Sequence, residues 1–349
     1  MPPRLPLPVA LLLLSACSGN HDQLALRPSP SNDASAPTHD LDAGDEDAAL
    51  DDADAAKPGD PDAATDPPGP FVLTVVNGMP DAPAIRLCFV PVVEGEERVA
   101  EAVLWPAEGL GYGRAKVVAA LGVDWATKAL RPYVLSGEGL AEVESCADAL
   151  TTDDDDLVTT ALPVLPAAGV TEGRSVLLVT TGCARADEGD ASKCHDAPFT
   201  EGGAGAVVVP LGRKAIGEGV GLQAVHAFAH GAAISMEIAP SLGLDSFTIA
   251  HTVTPGAIAP HPPSFAYDVA KLGPAPTDAS IVVRDASSSN ELARHSFGAA
   301  LAHGGIEATT FAKGRSYALV AVGPSPIAEV PAEWRPFTMV VVEGEPIAQ

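Results

Sequence analysis

Aromatic side chains and positive charge are what this chain has least of. Phe, Trp and Tyr make up 5% of its 349 residues against 46% hydrophobic residues overall. Any core is therefore built mainly from Val, Leu, Ile and Ala. Lys and Arg number 20 against 46 Asp and Glu, a formal charge of −26. That imbalance repels phosphate backbones and excludes nucleic acid and anionic lipid as electrostatic partners; what it attracts is cations or basic proteins. No stretch holds the roughly 18 uninterrupted apolar residues that a spanning helix needs. Catalytic signatures are missing too. There is no G-x-S-x-G elbow or S-x-x-K for an activated nucleophile, no G-x-x-x-x-G-K-[ST], and no G-x-G-x-x-G placed after a strand. No cofactor is expected.

What is present begins with the first residues, MPPRLPLPVALLLLSACSGN. Arg4 supplies a positive n-region, and Leu5 to Leu14 is an apolar run too short to cross a bilayer as a stable helix. Residues 1–16 are expected to be a signal peptide. Leu14-Ser15-Ala16-Cys17 resembles the bacterial lipobox in full. The resemblance implies that Cys17 becomes the new N-terminus and carries a diacylglycerol on its sulfur. Each buried methylene of such an anchor contributes about 0.8 kcal/mol. Ser18 stands where an Asp resembles an inner-membrane retention signal in some bacteria, which favours the outer membrane or cell surface.

From residue 18 to residue 70 the chain is mostly Asp, Ala and Pro, with thirteen acids against Arg27 and Lys57. Such a segment buries too little apolar surface to offset its chain entropy, and its charges repel one another. Residues 17–70 therefore read as a lipidated Cys followed by a disordered acidic tether, with a reach on the order of 40 Å. Calcium binding by the Asp run is disfavoured, because the spacing D-x-[DN]-x-[DN]-G and a closing Glu are absent. With the tether's −11 and Arg4 set aside, residues 71–349 still carry −16.

The folded part contains a repeat. LTVVNGMPDAPAIRLCFVP from Leu73 aligns without a gap on LQAVHAFAHGAAISMEIAP from Leu222, an offset of 149. Alternate positions on both sides of an interruption carry the large apolar residues, the period-2 mark of two half-buried strands joined by a turn. YGRAKV at Tyr112 matches YDVAKL at Tyr267, GRSVLLVTTG from Gly173 matches GRSYALVAVG from Gly314, and Val207–Val209 match Val340–Val342. The offset drifts through 155 to 141 and 133, as it does when loops change length and strands do not. Residues 71–212 and 219–349 are read as two units joined by a linker at 213–218. Strands are expected near 71–77, 84–91, 131–136, 174–181 and 205–211, and again near 220–227, 233–239, 280–285, 315–322 and 337–343. Short strands between turn signals predict an all-β chain of two tandem β-sandwiches, immunoglobulin-like, after the disordered tether. The best helix candidates, GRAKVVAALGVDWA and GLAEVESCADAL, both lie in the first unit.

VVNGMPDAPAIRLCF resembles the start of a bacterial extracellular family, domain of unknown function 4397, whose members open on a motif like V-x-V-V-H-A-S-P-D-A-P-x-V-D-V. The first unit keeps Pro80, Asp81, Ala82 and Pro83 with Asn77 in place of the His; the second keeps His226-Ala227 and lacks the Pro-Asp-Ala-Pro. The resemblance implies a surface or secreted β-sandwich module, often in tandem and on lipoproteins, with no established activity. Physically, Pro80 and Pro83 fix φ and remove two donors, so the chain leaves its ladder there. Asp81 is expected to close the turn on backbone N–H groups two residues on, in preference to acting as a ligand or catalyst.

Beyond Cys17 there are Cys88, Cys146, Cys183 and Cys194. In an exported chain they suggest two disulfides with three possible connectivities. Cys183 with Cys194 would close a polar loop, leaving Cys88 with Cys146. A zinc site is disfavoured because no C-x2–4-C pair occurs. His226, His230, His251, His261, His295 and His303 gather in the second unit; His226 and His230 are the weak candidates for a metal site, without an H-E-x-x-H. TTDDDDLVTT from Thr151 reads as a solvated loop, since consecutive side chains diverge and a calcium loop needs spaced ligands. The expected role is non-catalytic: a lipoprotein displaying tandem modules in the cell envelope, for adhesion, scaffolding, or binding of a protein or glycan partner. The alternatives are a metal-assisted enzyme using these histidines, or a purely structural spacer.

Overall fold

The computed structural model describes residues 72–118, 125, 127–151, 156–167, 175–184, 204–212, 219–229, 231–241, 244–261, 266–268, 272, 276–311 and 314–344. The signal peptide, Cys17, the tether, Cys194, His230 and the linker at 213–218 lie outside these residues. Ala63–Gln349 gathers into one compact unit. It is an all-β body.

In its first half, β1 (Val72–Asn77), β5 (Ala115–Val118), β8 (Ser175–Gly182) and β9 (Ala204–Leu211) form one sheet in the order β5-β1-β8-β9. A second sheet holds β2 (Ala84–Val93), β3 (Glu96–Glu97), β6 (Ala129–Gly137) and β7 (Leu157–Ala161) in the order β3-β2-β6-β7, with β4 (Val103–Gly111) also paired to β2. Leu73, Val75 and Leu178 of the first sheet pack on Leu87, Phe89 and Val134 of the second.

The second half repeats the plan. β10 (Val220–Phe228), β13 (Ile258–Ala259), β14 (Ala266–Tyr267), β17 (Ser316–Gly323) and β18 (Thr338–Glu343) form the sheet β13-β10-β17-β18, with β14 on β10. β11 (Ile234–Ala239), β12 (Phe247–Val253), β15 (Ser280–Asp285) and β16 (Glu291–Ser296) form the sheet β12-β11-β15-β16.

Strand register carries the repeat residue by residue. Leu73 sits beside Val176 in the parallel β1/β8 pair, and Leu222 beside Tyr317 in the parallel β10/β17 pair. Cys88 opposes Tyr133 as Glu237 opposes Val282. Leu178 opposes Val208 as Leu319 opposes Val341. β8 and β17 both end on a glycine in the left-handed region, Gly182 at φ 76° and Gly323 at φ 101°, where a Cβ would be strained. The tyrosine match does not hold in space. Ala115 pairs with Val76, and Ile258 pairs with the equivalent Val225. Tyr267 instead pairs with Val220 at the other end of its strand. Loop lengths between β1 and its antiparallel neighbour differ, and the shared letters YxxAK mark no shared position.

β1 and β10 are buried along their whole length, not half-buried. The reason is a third apolar layer. Val76, Leu177, Val179, Val207 and Val209 of the first half pack on Val225, Ala227, Ala318, Val320, Val322, Val340 and Val342 of the second. The central strands β1, β8, β10 and β17 of the two inner sheets thus bury both faces, one against their own outer sheet and one against the other half, and doubly buried strands read as continuous Val-rich runs. Equivalent positions from the two copies meet here: Val76 and Val225, Val179 and Val320, Val207 and Val340. At Gly78 a Cβ would stand 2.5 Å from the Thr180 carbonyl oxygen of its own half and 3.2 Å from Val322 Cβ across the layer.

Helical structure departs from expectation. The stretch proposed as a helix from Gly113 contains β5 at Ala115–Val118, drawn into the sheet by its ladder with β1. The second candidate splits into a 3-10 turn, Glu138–Glu142, and α1, Cys146–Thr151. Thr159 and Thr160, expected in a solvated loop, are in β7; residues 152–155 of that stretch lie outside the described residues. A helix in the second half, α2 (Phe297–His303), was not signalled by its sequence. It is seven residues long, capped by Ser296, whose Oγ accepts from Ala299 N at 3.3 Å.

The halves differ on their outer faces. Between β6 and β7 the turn and α1 cover the first half's outer sheet, where Cys88, Val90 and Leu135 meet Leu140, Cys146 and Ala149. Cys88 and Cys146 form a disulfide with Cα atoms 5.6 Å apart. Arg86, also buried, donates from Nε to the Pro106 carbonyl at 3.0 Å and from Nη1 to those of Leu140 at 3.3 Å and Val143 at 2.5 Å. Its burial lowers the guanidinium pKa from the ordinary value. In the second half a tight turn replaces this cover. There Asp285 Oδ1 accepts from Ser287 N at 2.9 Å and Ser288 N at 2.8 Å. The carboxyl is held down to about 2, first by the Ser287 hydroxyl and then by Ser288 N–H.

Candidate functional site

The motif residues occupy two equivalent corners, β1 to β2 and β10 to β11. At the first, Asn77 is wholly buried. Its Nδ2 donates to the carbonyls of Ala82 at 3.2 Å and Leu110 at 3.1 Å, and its Oδ1 accepts from Met79 N at 3.1 Å. Ala82 N also reaches Met79 O at 3.3 Å, so backbone and Asn77 together fold Met79–Ala82 into a rigid corner. Asp81 reaches beyond the corner. Its Oδ1 accepts from Ala184 N at 2.9 Å, tying the corner to the chain leaving β8.

His226, the repeat equivalent of Asn77, is likewise wholly buried. Its Nε2 is 3.1 Å from the carbonyl of Ala232, six residues on. A carbonyl only accepts, so Nε2 carries the proton and its lone pair is not offered to a metal. The ring stacks on Phe228 with centroids 4.4 Å apart. Asn and His thus serve one purpose: a side-chain donor that spans the corner and satisfies a carbonyl there. This equivalence was visible in the 149-residue offset, which sets Asn77 on His226; what the sequence did not signal is that both point inward.

The other histidines are spread out. His251 and His261 are exposed, and His230 lies outside the described residues. Among the described residues no three His, Cys, Asp or Glu side chains converge on a point fit for a metal ion. His295 and His303 have ring centroids 6.5 Å apart, and His303 Nδ1 lies 2.9 Å from the Met339 carbonyl. Burial, aided by His303, holds the His295 pKa below the ordinary value, against a backbone hydrogen bond at Phe337 that raises it. The unfolded chain therefore binds more protons than the fold as pH falls below about 6.5, and stability drops through that window. Urea midpoints between pH 8 and pH 5 should fall, and His295→Gln should flatten the decline; an unchanged slope in the variant would remove His295 as its cause.

The first corner is also where the halves are strapped together. In the segment joining β17 to β18, Arg335 N donates to the Pro80 carbonyl at 2.8 Å, and Tyr112 Oη donates to the Pro336 carbonyl at 2.7 Å. Burial pushes the Tyr112 phenol well above its usual range. Trp334 and Val330 pack on Cys183, which is disulfide-bonded. Arg114 reaches the carbonyl of Ala302 in the last turn of α2 at 2.9 Å, a favourable place for a cation.

No family model matches the chain, and no curated protein does. Among solved structures it is similar to the fimbrial anchor protein Mfa2 from Porphyromonas gingivalis, at 11% identity over 78% of this chain and 95% of that one, with a TM-score of 0.17. So low a score carries no argument about function.

Proposed function

We propose that this is a non-catalytic, lipid-anchored protein of the bacterial cell envelope, which holds a tandem β-body off the membrane on an acidic tether and works by interaction at the ends of its sandwiches. The observation that supports this most directly is how the motif residues are used. Asn77, Asp81 and His226 all have side chains hydrogen-bonded to backbone within or beside the corners. In this reading the motif shared with the extracellular domain family is architectural, and binding belongs to the loops the corners support. Among the described residues no helix is long and apolar enough to cross a membrane; in this reading the point of attachment is Cys17. The test is lipidation. In cells fed a clickable fatty acid, the wild-type chain should take the label and sediment with membranes, and Cys17→Ser should lose both; an unlabelled wild-type chain would overturn the anchor.

A further inference from the structure

The described residues begin at Val72, and the strands around that point define an end. Val72 lies beside Ser175, which opposes Leu211, and Gly212 N donates to Gln223 Oε1 at 2.8 Å near the start of β10. Tyr317 at the start of β17 opposes Glu343 at the close of β18. Val72, Gly212, Gln223 and Glu343 thus share one end. The opposite end holds the Pro80–Pro83 corner, the β17–β18 strap and, because Ile234 just past the second corner opposes Asp285, the β15–β16 turn. The two halves lie side by side, with equivalent ends pointing the same way.

A pull from the N-terminal side would therefore act on β1, which sits inside its sheet. It is paired antiparallel with β5 from Leu73 to Val76 and parallel with β8 from Val72 to Asn77. Ladder hydrogen bonds run across the strands, so a pull along β1 loads both ladders at once. Peeling from one end would break them one after another. The far end of β1 is also stopped. Asn77 is clasped across the corner, and Gly78 N donates to the Thr180 carbonyl at 3.0 Å. Sliding β1 toward the tether would drag a buried, bonded amide through an apolar core, which is costly.

We propose that the body is built to bear tension, from the tether at Val72 to whatever is held at the strap and corner end, with β1 as its shear-loaded strand. The proposal deepens the anchored-interaction reading by fixing the end at which a partner pulls. Single-molecule pulling tests it on the Cys17→Ser chain with its leader removed, one handle placed before Ser18. With the second handle inserted at exposed Glu329 in the strap, or at exposed Ser288 in the β15–β16 turn, the pull runs along the strands. With it after Gln349, force is applied at one end of the body and peels. Unfolding forces, which report the unfolding barrier, should be several-fold higher at both strap-end attachments than at the C-terminal one. Equal forces, or a stronger C-terminal geometry, overturn the proposal. Because this chain is unacylated in both arms, that failure leaves the anchor reading standing, whereas an unlabelled wild-type chain in cells would overturn the anchor without touching the force result.

Discussion

Val320→Asp should lower stability by about 3–5 kcal/mol, the cost of a buried charge left without a partner, or prevent folding outright. Val320 is wholly buried, on the face of β17 that meets the first half. The informative comparison is Val208→Asp in β9. Val208 is 40% exposed, so the same change there should stay within about 0.5 kcal/mol. Urea denaturation followed by circular dichroism reads both. If the halves were independent beads, position 320 would be a solvent-facing strand site and the two variants would behave alike. That outcome would refute the shared layer.

Replacing Cys88 and Cys146 together with Ala should cost about 4 kcal/mol, the chain-entropy value for a loop of this length, the two being 58 residues apart. The loss should be concentrated in the first half. The bridge fastens the β6–β7 cover onto β2, beside the Arg86 contacts with the same segment. Proteolysis between Gly139 and Thr151 should therefore become the earliest cut in the double variant. A denaturation midpoint matching the wild type, with no new cleavage there, would show that Arg86 and packing hold the cover unaided.

The ten strands read from Val-rich alternation lie within two residues of the observed ones, because the signal is set by burial and bounded by Gly and Pro. What was hidden has identifiable causes. β4, β12 and β16 mix charged, polar and small residues in strands that are largely only part-buried, as in ELARHS, where pairing and not apolar content makes the strand. β5 looked helical because AKVV is too short to show its period. α2, FGAALAH, is too short to announce itself against the strands around it. The third apolar layer was present in the letters as Val-Val-Val, but a run buried on two sides reads the same whether its second cover is a helix, a sheet or another copy. The corner residues are legible in the sequence; their partners are not. Asp81 joins a residue 103 positions away, and no local rule reaches that far.

The wall between the copies has a bearing on how such a chain arose. It is lined from both sides by matching positions, as the contact of an isologous pair would be. A lone ancestral module with that Val-rich face uncovered would have sought its twin, at a rate set by how many were nearby. Fusing two of them on one polypeptide makes the encounter intramolecular and its outcome independent of concentration. For such a module, a mate that is always present removes the risk of being caught alone with its sticky side out.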